Sequence, residues 1–96
     1  LYKKPDNVQA FLDHYETVHM PIVHAIPGLK SCTVNRVTGS PMGGEPAYFM
    51  IVEMAYETKE TFQTAMRSEQ NMAAGKDIGR FARGLVTLVT AESSDT

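Results

Sequence analysis

The sequence has too few cysteines for a disulfide, no cluster of basic residues for a phosphate backbone, and no apolar run long enough for a membrane. Its single cysteine, Cys32, cannot close an internal bridge, which favours a reducing, cytoplasmic setting. Lys3-Lys4 is the only adjacent basic pair and the net charge is −2, so nucleic acid is not an expected partner. No apolar stretch approaches the roughly 18–20 residues of a membrane span, so no membrane association is expected. No signal peptide is recognisable. Glycine-rich phosphate loops, whether Gly-x-Gly-x-x-Gly or Walker-type, are missing, and nucleotide and flavin fingerprints with them. Gly43-Gly44 is loop chemistry, and no serine or cysteine stands in a nucleophile motif. The chain opens at Leu1 without an initiating methionine, which leads us to expect an upstream segment.

What remains fits one domain over residues 1–96. A chain this short buries only about 60–65% of its unfolded surface, so a homodimer is expected to help it. The most informative stretch is Phe11 to Val23. At about 100° per residue, Val8, Phe11, Leu12, Tyr15, Val18, Ile22, Val23 and Ile26 share one side of a helix. His19 falls near the middle of that apolar stripe and His14 at its flank, whereas His24 points to solvent. An imidazole in such a stripe must meet something polar.

Read in order, Leu1-Tyr2-Lys3-Lys4 is the tail of a first strand cut by Pro5, and Asp6 is the expected cap of the helix. Pro21 lies inside the helical pattern, which predicts a kink or break at His19-Met20-Pro21. Pro27-Gly28 stops the helix. Leu29 to Val37 is a second strand and Tyr48 to Tyr56 a third, separated by a loop rich in glycine and proline. Thr58 caps a helix over Lys59 to Arg67, and Ser68 another from Glu69 to about Lys76. Gly75, Gly79 and Gly84 weaken any continuation. Leu85 to Thr90 is a last strand, with a polar tail from Glu92.

Strand, helix, strand, strand, helix, strand is the split βαβ order. It predicts an α+β fold of the ferredoxin-like kind, with a four-stranded antiparallel sheet and helices on one face. If the other face carries Met50, Val52 or Leu88 it needs a cover, and a second copy packing sheet to sheet would enclose a cavity.

Among candidate site residues, His19 is the sharpest. It can act as general acid or base, or it can be a buried neutral imidazole bonded to a carbonyl freed by Pro21. His14 is a second candidate, or a half-exposed brace. Tyr15 can place its hydroxyl in the cavity or serve as core, and Asn35 can orient a substrate carbonyl or merely start the loop. Tyr2 and Phe49 complete the expected lining. Methionines 50, 54, 66 and 72 read as core filler that also suits a flat apolar ligand. His14 and His19, five residues apart, stand 140° apart on a regular helix and cannot easily share an ion, so no metal and no cofactor is expected.

The run Phe11-Leu12-Asp13-His14-Tyr15-Glu16-Thr17-Val18-His19-Met20-Pro21-Ile22, then Ile26-Pro27-Gly28-Leu29 and Val34-Asn35-Arg36-Val37, resembles the EthD family. Similarity extends from the Tyr-Lys-Lys-Pro opening to Phe81-Ala82-Arg83-Gly84, with a shorter first strand than is typical. The resemblance implies a dimeric α+β barrel, in a superfamily that includes cofactor-independent monooxygenases, aromatic cyclases, muconolactone-type isomerases and haem-handling proteins. The resulting expectation is binding of a small apolar or aromatic metabolite. The chemistry would be cofactor-free oxidation or proton transfer, and the alternative is a non-catalytic accessory protein for a partner oxygenase.

Overall fold

The computed structural model describes residues 1–94, so Asp95 and Thr96 of the expected tail lie outside it. The order is α1 (Val8–His14), one π-helical turn (Tyr15–His19), α2 (Met20–His24), β1 (Leu29–Arg36), β2 (Met50–Tyr56), α3 (Lys59–Met66) and α4 (Glu69–Phe81). Local chemistry explains most boundaries. Asn7, rather than Asp6, caps α1: its side chain accepts from the Ala10 amide at 3.0 Å, three residues on, a reach that fits a cap one residue later than expected. Thr58 and Ser68 cap α3 and α4 as their sequence positions predict, each accepting an amide at 3.1 Å. Gly28 leaves α2 at φ 77°, left-handed backbone that a side chain resists, and lies against Thr61.

Two of the helical segments depart from expectation. The kink expected at Pro21 is instead a widened turn immediately before it, and α2 continues through the proline to His24. Helix α4 does not stop near Lys76 but runs on to Phe81 through Gly75 and Gly79. Each glycine costs about 1 kcal/mol against alanine, yet both face open space while Ala74, Asp77, Ile78 and Phe81 pack inward. Tertiary packing overrides the propensity.

The fold is mixed α+β. β1 and β2 pair antiparallel, Cys32 opposite Met54 and Val34 opposite Val52. The two outer segments are shorter than the strands expected. Tyr2 bridges to Met50 on one side and to Val86 on the other, and Lys3 and Thr87 donate to Leu85 and Leu1, each at 2.8 Å. Among the described residues the sheet proper therefore has two strands, not four. Pro5 ends the first segment, and the last pairs no further than Thr87, leaving Leu88 and Val89 exposed.

The side of the sheet carrying Cys32, Val52 and Met54 looks toward the helices; Ser31, Thr33, Asn35, Ile51, Glu53 and Ala55 occupy the other. Met50 is fully buried and Val52 packs with it under α1, so these two do not lie on the uncovered face. One core cluster joins Tyr2, Phe11, Tyr15, Met50 and Ala82, and a second joins Val23, Ile26, Ala65 and Ala74. Met20 touches both. No helix among the described residues is long and apolar enough to cross a membrane.

Candidate functional site

The widened turn builds the site. The Met20 amide donates to Tyr15, five residues back, so this stretch carries one residue more per turn than an α-helix. Residues five apart then stand roughly where residues four apart stand in a regular helix, and His14 and His19 come to one side despite their 140° expectation. Two local groups favour the distortion. Pro21 cannot donate to the preceding turn, and the Thr17 hydroxyl bonds back to the Asp13 carbonyl at 2.7 Å.

Both imidazoles meet Asp77 of α4. His14 donates from Nε2 to the carboxylate at 2.9 and 3.1 Å, and His19 donates from Nδ1 to Oδ2 at 2.9 Å. Asp77 is fully buried, His19 is 3% exposed, and the His14 side chain keeps 29% of its surface. Phe81, one turn beyond Asp77, stacks on His14 with centroids 4.5 Å apart and lies 5.0 Å from His19. Tyr15 flanks the His19 ring at 5.4 Å. Among the described residues no hydrogen-bond partner meets Nε2 of His19.

Burial pushes the His19 pKa below its ordinary value; bonding to Asp77 and its charge act upward without restoring it, and His14 adds a downward push. For Asp77, burial acts upward, but the hydrogen bonds and charges of His14 and His19 prevail and hold the carboxyl below the usual range. The pair is thus poised as a neutral imidazole backed by an ionised carboxylate. Burial, with Cys32 and Asp77 nearby, pushes the Tyr2 hydroxyl up to about 12. Burial and the neighbouring Tyr2 and Cys32 raise Tyr15 as well. Both phenols therefore stay protonated at neutral pH and keep an O–H to donate.

The structure gathers most of the candidate residues and separates one. His14, His19, Tyr15 and Tyr2 share one region, Tyr2 meeting Tyr15 edge-on at 5.9 Å. Phe49 joins through Phe11 at 6.0 Å and carries the Arg36 guanidinium 4.3 Å above its ring. Asn35 is exposed on the sheet side away from the helices, where it donates to the Ile51 carbonyl at 3.1 Å. Sequence reasoning missed Asp77. Its signal was present: Ala74, Asp77, Ile78 and Phe81 recur at helical spacing, with an acid among apolar residues as His19 sits among its own. Among the described residues no group of three His, Cys, Asp or Glu side chains is arranged to hold a metal ion.

Residues 4–84 match the EthD domain. The chain belongs to the EthD family. It is similar to an EthD family protein from Bacillus halodurans C-125 whose crystal structure superposes with a TM-score of 0.91, at 42% identity, covering 98% of this chain and 93% of that one. It is also 29% identical over 89 residues to an uncharacterized 11.0 kDa protein in the thcB-thcC intergenic region of Rhodococcus erythropolis, spanning 93% of this chain and 85% of that protein. EthD membership agrees with the mixed α+β fold and by itself assigns no chemistry.

Proposed function

We propose that this EthD protein binds a small apolar or aromatic metabolite beside its first helix and moves a proton on it, with His19 as the base. The observation that carries the reading is the buried His19–Asp77 pair at 2.9 Å. Nδ1 is committed to the carboxylate, which fixes the tautomer and leaves the lone pair on Nε2. A ring kept neutral by burial is ready to accept a proton from a phenol or from carbon beside a carbonyl. The imidazolium so formed is stabilised by the adjacent carboxylate. In this reading Tyr15 and Tyr2 donate to the substrate oxygen as charge develops on it, and Phe49 with Phe81 supplies aromatic wall. His14 steadies Asp77 from the solvent side. The reaction class is proton transfer leading to isomerisation or cyclisation, or to cofactor-independent oxygenation in which dioxygen is the oxidant of the deprotonated compound and is itself reduced. Asn35 has no role in this scheme.

A homodimer belongs to the same proposal. The chain exposes 6981 Å², against about 5,500 Å² for a compact monomer of its mass. Its radius of gyration is 14.2 Å, against about 12.5 Å for a compact chain of this length, and its shortest extent is only 19 Å. A second copy over the uncovered sheet face would complete a barrel of four-stranded sheets, using the outer segments paired through Tyr2. The unpaired Cys32 thiol suits a cytoplasmic location.

One observation favours a non-catalytic accessory role: Asp77 bonded to both histidines also makes a good brace between helices. The test is a panel of phenolic and β-dicarbonyl compounds assayed with wild type and His19→Ala. Catalysis requires turnover by wild type that the variant loses while its circular dichroism stays native. Ligand binding without turnover by either protein supports the accessory role. Turnover unaffected by the substitution would falsify the assignment of His19.

A further inference from the structure

Outside the His14–Asp77–His19 centre, one surface groove has the features of a ligand site. It lies between α2 and α4, measures about 360 Å³, and is lined by Ile22, Glu69, Met72, Ala73, Lys76 and Arg80. That volume falls within the range of small-molecule sites. Ile22, Met72 and Ala73 give an apolar floor, and Met72 is 55% exposed there.

Charge is distributed unevenly along the groove. Along α4, Glu69 stands about 10 Å from Lys76 and about 16 Å from Arg80, and among the described residues it pairs with neither. Among the described residues Lys76 forms no ion pair. Arg80 meets only Asp77, at a loose 3.9 Å, and that carboxylate already accepts from His14 and His19. Two cations with unused donors thus stand beside an exposed apolar strip.

We infer that the α2–α4 groove binds a small organic anion whose apolar body lies on Ile22, Met72 and Ala73 and whose acid group pairs with Lys76 and Arg80. Guanidinium and ammonium donors recognise an acid group whatever scaffold bears it, and the apolar floor selects for a ring or short chain. The inference stands apart from the role given to His19.

The test uses two fluorescent probes that share an anilinonaphthalene-type skeleton: 8-anilinonaphthalene-1-sulfonate, which is anionic, and N-phenyl-1-naphthylamine, which is neutral. Wild type is expected to bind the anion roughly tenfold more tightly than the neutral probe. Lys76→Gln/Arg80→Gln should remove that preference and leave the neutral probe unchanged, and added salt should weaken only the anion. Ala73→Trp, an exposed substitution with little bearing on folding, should weaken both probes by filling the floor. His19→Ala should leave both affinities as they are. Failure of wild type to bind the anion overturns the inference. So does an unchanged affinity in the double variant or in Ala73→Trp, and so does a loss of binding in His19→Ala, which would put the probe at the imidazole instead.

Discussion

Replacing Asp77 by Ala removes one buried carboxylate and orphans two donors at once. A hydrogen bond to a charged group contributes roughly 1.5–3 kcal/mol, so two of them set an upper bound near 6 kcal/mol. Two features of the structure reduce that figure. The His14 side chain is 29% exposed, so water can replace its lost partner. His19 is held neutral by burial, so the variant leaves an unpaired N–H in the core, not an unpaired charge. The expected loss is then about 3 kcal/mol, most of it from His19. For a domain of this size that lowers Tm by about 12–24 °C. Asp77→Asn retains one acceptor for His19 and turns an amide donor toward His14, whose exposed ring can change tautomer; a loss of about 1–2 kcal/mol is expected. Both follow from circular-dichroism melts at pH 7.5 and one fixed protein concentration, because a dimer's Tm depends on concentration. An Ala variant within about 1 kcal/mol of wild type, or an Asn variant as damaged as the Ala one, would show that Asp77 does not hold these helices together.

Acid should destabilise the protein in two windows. His19 titrates below its ordinary 6.5 when folded, so the unfolded chain binds the extra proton and stability falls as pH drops from about 6.5; His19→Gln should flatten that limb of a Tm–pH curve. Asp77 titrates below its ordinary 3.8 when folded, so its contribution is present above that value and disappears as pH falls through the lower, folded one; Asp77→Asn should remove this second limb in urea titrations. Gly28→Ala combines left-handed backbone with a Cβ that collides with Thr61 Cγ2, and should cost about 2 kcal/mol; Gly28→Ala/Thr61→Ser should recover part of it in the same melts. Deleting Thr17 together with Pro21→Ala should convert the π-helical turn to a regular one while keeping both imidazoles on Asp77, whereas deleting Ala10 should rotate Phe11 and its neighbours off the core. Ring-nitrogen shifts in nuclear magnetic resonance spectra would report the first, and loss of the cooperative melt the second.

Much of the fold could be read from residue patterns because it depends on local chemistry. Thr58 and Ser68 cap their helices for the same reason any such residue does, and the Pro27-Gly28 stop follows from backbone freedom alone. The strands β1 and β2 follow from their β-branched and apolar runs. The outer segments were legible only as extended chain. Whether Leu1–Lys4 and Leu85–Thr90 form ladders depends on partners far away in sequence, and the observed pairing stops at Thr87. Which sheet face is covered was equally hidden, since Tyr48, Met50, Val52 and Met54 alternate with Phe49, Ile51 and Ala55, a pattern that predicts cover on both faces.

The site shows the same division more sharply. That His19 must meet a polar group follows from its place in an apolar stripe, and the structure supplies Asp77 for it. The identity of that group was lost through one propensity argument, in which Gly75 and Gly79 ended α4 before Asp77 was reached. Periodicity was the better guide, because burying Ala74, Asp77, Ile78 and Phe81 on one side outweighs about 2 kcal/mol of glycine penalty. The 140° separation of His14 and His19 failed for a different reason: it assumed a constant 3.6 residues per turn. Pro21 predicts a kink or a break near His19-Met20-Pro21, and the structure has a widened turn just before it with the helix continuing to His24. That extra residue is what lets two imidazoles five positions apart meet a single carboxylate, so the helix irregularity and the site are one feature of the sequence.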